Sequence, residues 1–316
     1  MDISSQFGPY RIVGRIGVGG MAEVYEARDA DGDRVALKVL LPGLRDNAEI
    51  VDMFIDEASI TTELDHPNIV SVRDFGSLDG VHFMAMEFVD GWDLGRLLDR
   101  CRAAARPLSA HVAAYVGSEL SHALEHVHLS ERQIVHRDVT PHNVFVRSDG
   151  AIKLADFGIA RAAARRTRTT EGQLKGKLAY LAPEQATGEA ITARTDIYAV
   201  GLLLFEIATG RPLLSAESDV ELIQQAIDPP RISPSSIYAA AAPLDAVVAR
   251  ALQPHPVMRY ASAMALASAL DGLHERASAA AELAGVAREL FGGRSARSRQ
   301  AADHAPAARA RTLAMS

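Results

Sequence analysis

Apolar and polar residues alternate along most of the first ninety positions. Short alternating segments predict β-strands over residues 11–17, 22–28, 33–41, 68–76 and 81–89. One stretch among them, residues 47–64, instead places Ile50, Phe54 and Ala58 on one side, at the three- and four-residue spacing of a helix. The pattern predicts a sheet accompanied by a single helix.

From Gly91 onward the apolar residues fall mainly at helical spacing. Ser109 is a typical N-cap for the first long helix, which we expect to reach Leu129. Further helices are predicted over residues 195–209, 217–227, 243–252 and 261–272. The whole pattern predicts an α+β protein of two lobes with a cleft between them. The small β-rich lobe covers residues 1–90, and the larger helical lobe covers residues 91–274.

After residue 274 the composition changes. Residues 276–291 are rich in alanine, and a few larger apolar residues recur at helical spacing, namely Leu283, Val286, Leu290 and Phe291. Beyond Gly293, five arginines stand against one aspartate and no apolar pattern remains. We therefore expect residues 275–316 to form a helix that packs on the large lobe or binds a partner, followed by a disordered basic tail.

Composition narrows the class of protein. Of the 316 residues, 48% are hydrophobic, enough to fill two cores, and the net charge of −7 disfavours a nucleic-acid partner. The single cysteine, Cys101, excludes an internal disulfide and fits a reducing compartment. The sequence starts without the features of a signal peptide and carries no apolar run long enough to cross a bilayer. These features predict no transmembrane segment and a cytoplasmic location.

A glycine-rich turn separates the first two predicted strands. Gly17, Gly19 and Gly20 would let backbone amides approach phosphate oxygens without an obstructing Cβ atom. The third glycine of the G-x-G-x-x-G pattern is replaced by Ala22, and an ordinary hairpin would explain the turn equally well. Alone, the turn is weak evidence for nucleotide binding.

Charged residues downstream of the turn strengthen the case for nucleotide binding. Lys38 lies on the third predicted strand and Glu57 in the following helix, so an ion pair between them would present the ammonium to nucleotide phosphates. Asp138 precedes Asn143 by five residues and Asp156 by eighteen. These residues belong to spaced motifs that follow one another along the chain: His136-Arg137-Asp138, Asp156-Phe157-Gly158 and Ala182-Pro183-Glu184. Chance does not readily produce so many motifs in this order.

With these motifs, residues 8–273 resemble a bacterial, eukaryotic-type (Hanks-type) serine/threonine protein kinase. The resemblance implies the two-lobed protein kinase fold. It implies ATP and Mg²⁺ (or Mn²⁺) as cofactors, and transfer of the γ-phosphate to serine or threonine hydroxyls of proteins, including the chain itself. It leaves open dimerisation for autophosphorylation in trans.

The resemblance also implies a role for each matched residue. Asp138 accepts or orients the hydroxyl proton of the substrate, Glu57 holds Lys38, and two Mg²⁺ ions bind Asn143 and Asp156. Contacts to the nucleotide are implied for Ile16, Gly17, Val18, Gly19, Gly20, Val24, Ala36, Lys38, Glu87 and Val89. Supporting positions are Met86 as gatekeeper, Arg259 as the partner of Glu184, Asp196 beside the catalytic loop, and His136 and Phe157 between the lobes.

Two residues depart from the family pattern. Thr140, two residues after Asp138, occupies a position where the family carries lysine, and Lys177 occupies one where it carries threonine. A lysine about 4 Å from a γ-phosphate oxygen contributes about 4 kcal/mol at an effective dielectric of about 20. Because the two departures are reciprocal, we expect the catalytic charge to have moved to Lys177.

The segment between Asp156 and Ala182 predicts regulation by phosphate. Arg137 directly precedes the catalytic aspartate, and such an arginine usually needs an anionic partner from this segment. Three hydroxyls lie there in a basic stretch, on Thr167, Thr169 and Thr170. We expect autophosphorylation at Thr169 or Thr170 to order the segment and raise activity.

Other functions fit fewer of these residues. Thr140 favours a pseudokinase or nucleotide-binding scaffold, but the other catalytic positions are all filled. A kinase of small molecules would lack Arg259 and the long segment that ends at Ala182-Pro183-Glu184. The sequence Thr140-Pro141-His142 favours serine and threonine over tyrosine as the acceptor. His122 and His126, four residues apart, match the helix before the catalytic loop rather than a metal site.

Overall fold

The computed structural model describes residues 5–157 and 176–292. Its first part is an antiparallel sheet with one long helix, α1 (Ala48–Thr62). The strands are β1 (Gln6–Phe7), β2 (Tyr10–Val18), β3 (Ala22–Arg28), β4 (Arg34–Leu40), β5 (Val72–Leu78) and β6 (Val81–Glu87). They lie in the order β1-β2-β3-β4-β6-β5. Helix α1 begins after Asn47, whose side chain accepts a hydrogen bond from the Ile50 N–H at 3.3 Å.

The two faces of this sheet have different neighbours. Val35, Leu37 and Val39 of β4 are buried in a cluster on one face. Leu40 belongs to a second cluster, which includes Phe54 of α1. Since side chains alternate along a strand, Lys38 shares the α1 face with Leu40. The alternation therefore directs the ammonium of Lys38 towards the helix.

The larger lobe combines a small antiparallel sheet with helices. The sheet consists of β7 (Gly91–Asp93), β8 (Val144–Arg147) and β9 (Ile152–Leu154), in that order. The helices are α2 (Leu94–Ala103), α3 (Ala110–His128), α4 (Pro183–Thr187), α5 (Ala193–Thr209), α6 (Asp219–Ile227), α7 (Pro234–Ile237), α8 (Asp245–Ala251), α9 (Ala263–Asp271) and α10 (Arg276–Leu290). One continuous hydrophobic core joins them. The predicted α+β fold of two lobes is confirmed.

Local chemistry explains where the elements begin. Ser109 caps α3 by accepting a hydrogen bond from the Val112 N–H at 3.2 Å. Strand β5 begins at Val72 rather than at residue 68, because the chain before it bonds to β9 instead. The Val70 N–H donates to the Leu154 carbonyl at 2.9 Å, and the Leu154 N–H donates to the Asn68 carbonyl at 2.7 Å. These bonds link the two lobes.

Helix α10 packs on the large lobe. Leu283 and Val286 are buried in the same core as the helices before it, as is Phe291 immediately after it. The basic segment beyond Gly293 lies outside the described residues. None of the helices in the described ranges combines the length and apolar character needed to cross a bilayer.

Candidate active site

A buried lysine joins the first sheet, α1 and the segment that follows β9. Lys38 Nζ donates to Glu57 Oε1 at 2.7 Å and to Asp156 Oδ1 at 2.8 Å. Burial disfavours the charged ammonium, but the carboxylates of Asp156 and Glu57 outweigh it and raise the pKa of Lys38. The group therefore stays protonated and presents a fixed positive charge in the cleft.

Asp138 lies opposite, in the loop that follows α3. Asn143 Nδ2 donates to Asp138 Oδ2 at 2.8 Å and to the Asp138 carbonyl at 2.7 Å. Both side chains are largely buried. Since the two amide hydrogens of Asn143 serve Asp138, the amide oxygen is the atom that can bind a cation. The carboxylate of Asp138 is thereby held in one orientation.

The backbone around these residues adopts an uncommon conformation. Arg137 has φ of 66° and Asp156 has φ of 54°. Asp196 on α5 stabilises the first of these turns, because its carboxylate accepts from the N–H groups of His136 and Arg137, both at 2.8 Å. Such strain persists only where surrounding contacts enforce it.

His136 supports both catalytic segments as a neutral imidazole. Its Nε2 lies 3.2 Å from the Ala155 carbonyl, which can only accept, and its Nδ1 lies 3.3 Å from the Asp138 N–H, which can only donate. Burial lowers the pKa of His136, which agrees with this neutral form. The ring packs against Phe157 with centroids 4.7 Å apart.

The predicted nucleotide positions line up across neighbouring strands. Gly17 pairs with Val24, Val24 pairs with Lys38, and Ala36 pairs with Met86. Ile16 and Val18 lie on β2, on either side of Gly17. In the turn, the Gly19 N–H donates to the Ala22 carbonyl at 2.8 Å. A Cβ atom built on Gly20 would meet no heavy atom within 4 Å, so the turn borders open space.

Glu87 and Val89 lie in the segment that leaves β6. The Glu87 N–H is bonded to the Ser71 carbonyl at 2.8 Å. The family resemblance implies a nucleotide contact for Glu87 and does not indicate its ion pair, in which the carboxylate accepts from Lys153 Nζ at 2.7 Å. Lys153 is largely buried on β9, three residues before Asp156. This ion pair joins the connecting segment to the strand that positions Asp156.

Comparison with known proteins agrees with this arrangement. A family model described as "Protein kinase domain" matches residues 10–269. The chain belongs to the protein kinase family. The kinase domain of Mycobacterium tuberculosis PknI has a solved structure that is 30% identical, with a TM-score of 0.66, covering 86% of this chain and 98% of that one.

Relatives of this chain are named for more than one acceptor residue. Serine/threonine-protein kinase PknD of M. tuberculosis is 38% identical over 85% of this chain and 40% of its own. PrkC of Bacillus subtilis, also named a serine/threonine kinase, is 41% identical over 68% and 32%. Tyrosine-protein kinase MasK of Myxococcus xanthus is 35% identical over 84% and 43%. The chain thus spans less than half the length of these relatives.

Lys177 lies beside Asp138. Its Nζ is 3.9 Å from Asp138 Oδ2, and its side chain is 38% exposed. Thr140, in the loop that carries Asp138, is buried. Thr167, Thr169 and Thr170 lie outside the described residues, so their surroundings are not part of this geometry.

A cluster of Tyr180, Arg102 and the buried Glu206 was not predicted from the sequence. Tyr180 donates to Glu206 Oε2, and Arg102 Nη2 donates to Glu206 Oε1 at 2.8 Å. Burial raises the pKa of Glu206 to about 7, although Arg102 opposes the shift. Glu206 falls within an apolar run of α5, and Arg102 lies 104 residues before it. Nothing in the local sequence could indicate this contact.

Another buried ion pair holds the motif Ala182-Pro183-Glu184, where the segment that begins at Asp156 ends. Arg259 Nη1 and Nη2 donate to the two oxygens of Glu184, at 2.7 and 2.8 Å. Thr195 Oγ1 donates to the same carboxylate at 2.8 Å. Glu184 belongs to the motif that ends the segment, at the start of α4. The pair therefore anchors that end to the large lobe.

The donor set of the cleft suits a hard divalent cation. Among the described residues, the carboxylates of Glu57, Asp138 and Asp156 lie in the cleft together with the ammonium groups of Lys38 and Lys177. Mg²⁺ prefers one or two carboxylates together with phosphate oxygens and water. In the described ranges no three His, Cys, Asp or Glu side chains are grouped to hold a metal ion. The carboxylate of Asp156 and the amide oxygen of Asn143 are ligands of the kind that Mg²⁺ shares with phosphates.

Proposed function

We propose that this kinase transfers the γ-phosphate of ATP to serine and threonine hydroxyls of cytoplasmic proteins, and to its own chain in trans. The observation that carries the proposal is the cleft itself. Lys38, paired with Glu57 and Asp156, faces an Asp138 carboxylate that Asn143 holds in place. The relatives named as serine/threonine kinases support the choice of acceptor.

Each residue contributes one part of the transfer. The carboxylate of Asp138 accepts or orients the proton of the acceptor hydroxyl, and Asn143 fixes its direction. Lys38 binds phosphate oxygens through its charged ammonium, and Glu57 keeps that ammonium in place. Mg²⁺ at Asn143 and Asp156 would neutralise the charge on the phosphates. The glycine turn covers the same space with backbone N–H groups.

Lys177 supplies the positive charge that Thr140 does not. Its ammonium lies 3.9 Å from Asp138 Oδ2, so it can approach the acceptor hydroxyl and the γ-phosphate from the other side of the loop. The transition state requires the charge and is indifferent to the backbone that carries it. This geometry favours an active enzyme over a pseudokinase, the function that Thr140 alone favours.

Phosphate on the segment before Lys177 would complete this arrangement. Arg137 directly precedes Asp138, and phosphorylation of Thr169 or Thr170, with Thr167 as the third hydroxyl nearby, would give it an anionic partner. Because Lys177 follows in the same segment, ordering that segment would also deliver the catalytic charge.

The test is phosphate transfer by the purified chain. Labelled ATP with Mg²⁺ should label both the chain and a protein acceptor, and EDTA or Asp138→Asn should abolish the label. Phosphoamino acid analysis should give phosphoserine and phosphothreonine, and mass spectrometry should place phosphate on Thr169 or Thr170. Nucleotide binding without transfer would support a pseudokinase. Phosphotyrosine alone would overturn the proposed acceptor and align the chain with MasK.

A further inference from the structure

Helix α10 follows the residues that the family model matches, yet it lies along the β7–β9 sheet of the catalytic core. The match ends at residue 269, whereas α10 covers Arg276–Leu290. Its inward residues, Ala279, Leu283 and Ala287, are buried in the core of the large lobe. The helix touches the sheet at two points, one near each of its ends.

The first point is the turn between β8 and β9. Gly150 in this turn has φ of 90°, and a Cβ atom there would overlap the carbonyl group of Ala280. Only glycine allows both the conformation and the approach of the helix backbone. The Tyr115 hydroxyl donates to the Gly150 carbonyl at 3.2 Å. The start of α10 is therefore fixed against the sheet.

The second point is an aromatic contact at the end of the helix. Phe291, only 7% exposed, stacks on Trp92 with ring centroids 5.4 Å apart and planes 19° apart. The guanidinium of Arg100 lies 4.5 Å from the centroid of the Phe291 ring. Arg100 Nη1 also donates to the Leu290 carbonyl at 3.1 Å. Phe291 thus lies between a strand residue and a residue of α2.

Trp92 is the middle residue of β7. This strand follows Glu87 and Val89, whose implied contacts to the nucleotide would be with adenine, and we call residues 87–89 the adenine segment. Val89 precedes Trp92 by three residues, and Asp93 after Trp92 caps α2 by accepting from the Arg96 N–H at 2.9 Å. In register, Trp92 pairs with Val146 of β8, a strand that begins immediately after Asn143. One strand pair therefore connects the adenine segment with the metal-binding end of the catalytic loop.

This strand pair is close-packed. A Cβ atom on Gly91 would overlap the Val146 carbonyl, and the Ser148 N–H donates to the Asp90 carbonyl at 2.9 Å. A displacement of Trp92 would therefore be transmitted along both strands, because interiors packed at this density have no free space to absorb it.

We propose that Phe291 is a positioning residue for the nucleotide site. By stacking on Trp92 it fixes β7 and β8, and through them the adenine segment and Asn143. The proposal rests on the proposed function, since it assumes that the cleft binds ATP. It also extends the working catalytic domain to residue 291, beyond the matched family region.

The test compares two side-chain truncations, one on α10 and one directly after it, in the 316-residue chain. Phe291→Ala removes the stack, whereas Leu283→Ala removes a buried side chain of α10 that belongs to the core. Both should lower the melting temperature. Only Phe291→Ala should raise KM for ATP, by about threefold to tenfold, because an aromatic pair contributes that order of free energy. Phe291→Tyr, which keeps the ring, should restore the wild-type KM.

Equal KM values in Phe291→Ala and wild type, or equal increases in Phe291→Ala and Leu283→Ala, would overturn the positioning role. If Phe291→Ala does not fold, Phe291→Leu keeps most of the buried volume without the ring and must show the same increase in KM. Failure of the wild type to bind Mg·ATP in a thermal-shift assay would instead reject the proposed function. The two failures are therefore distinguishable.

Discussion

Two of the buried ion pairs in the described residues, Lys38–Glu57 and Arg259–Glu184, differ in their surroundings. Arg259 and Glu184 have side chains that are 0% and 1% exposed. Beyond Glu184, Arg259 donates to the carbonyls of Gln253, Pro254 and Arg194, at 2.7, 2.9 and 2.9 Å. Its guanidinium also lies 4.6 Å from the centroid of the Tyr198 ring. Protein atoms thus surround this charge on every side.

The pair in the cleft is arranged differently. Lys38 bridges two carboxylates, and one of them, Asp156, has a side chain that is 49% exposed. This pair therefore borders solvent on the side of Asp156, whereas the Arg259–Glu184 pair does not. The comparison teaches that burial alone does not make an ion pair structural. What distinguishes the two pairs is how completely protein atoms enclose them.

Replacing Lys38 should have the largest effect and tests whether the cleft pair serves catalysis rather than stability. Lys38→Met should lower turnover by about a thousandfold, because the charge that binds phosphate oxygens is lost. Stability should change little, because burial already raises the pKa of Glu57 against the opposing effect of Lys38, and the carboxyl can take up a proton once the ammonium is gone. Steady-state kinetics and urea unfolding measure the two effects. A loss of about 3–5 kcal/mol, the loss expected on removing one partner of a fully enclosed pair, would show that both pairs are structural.

The closed pair should respond in the opposite way. Arg259→Met leaves the Glu184 carboxylate buried without its partner, which should cost about 3–5 kcal/mol of unfolding free energy. The double variant Arg259→Met, Glu184→Leu is the control, because it removes both charges and should recover part of the stability. Urea unfolding measures both. A loss below about 1 kcal/mol in the single variant would contradict the structural role.

Much of the fold, and the contact of Lys38 with Glu57, followed from the sequence because the residues involved lie in regular elements. The alternation of β4 places Lys38 on the α1 face, and the spacing of α1 places Glu57 with Phe54 and Ala58. The three short strands β7–β9 were not predicted, since three or four residues show no reliable period. The contacts Trp92–Phe291 and Arg102–Glu206 join residues far apart in the chain, so no local pattern could indicate them.

The Arg102–Glu206 pair is a third ion pair with a buried carboxylate, and it should make the stability of the protein depend on pH. The pKa of Glu206 is raised from 4.5 to about 7 by burial, so the folded protein binds a proton that the unfolded chain has released between those values. Its contribution to stability is therefore fully present below about pH 4.5 and is lost as the pH rises through about 7. The groups that face it are Arg102, Tyr180, Asp99 and His142.

Replacing this carboxyl should remove that dependence. Between pH 5 and pH 8 the unfolding free energy of wild type should fall by about 2 kcal/mol more than that of Glu206→Gln. The reason is that the pKa of Glu206 is raised from 4.5 to about 7, and one pKa unit corresponds to about 1.4 kcal/mol. Unfolding free energies of both proteins across this range measure the difference. Parallel pH profiles would show that Glu206 stays ionised, held by Arg102 as firmly as Arg259 holds Glu184.

The smallest expected effect concerns Lys177, whose pairing with Asp138 is long and half exposed. At 3.9 Å it adds little to stability, but the proposed mechanism requires its charge in the transition state. Lys177→Thr should lower turnover about tenfold with an unchanged melting temperature, and adding Thr140→Lys should restore much of the loss. Thr140→Lys alone provides the fourth corner of the double-mutant cycle. Wild-type turnover in Lys177→Thr, or simple additivity of the two changes, would show that Lys177 is a surface charge and that the kinase works without a lysine at this position.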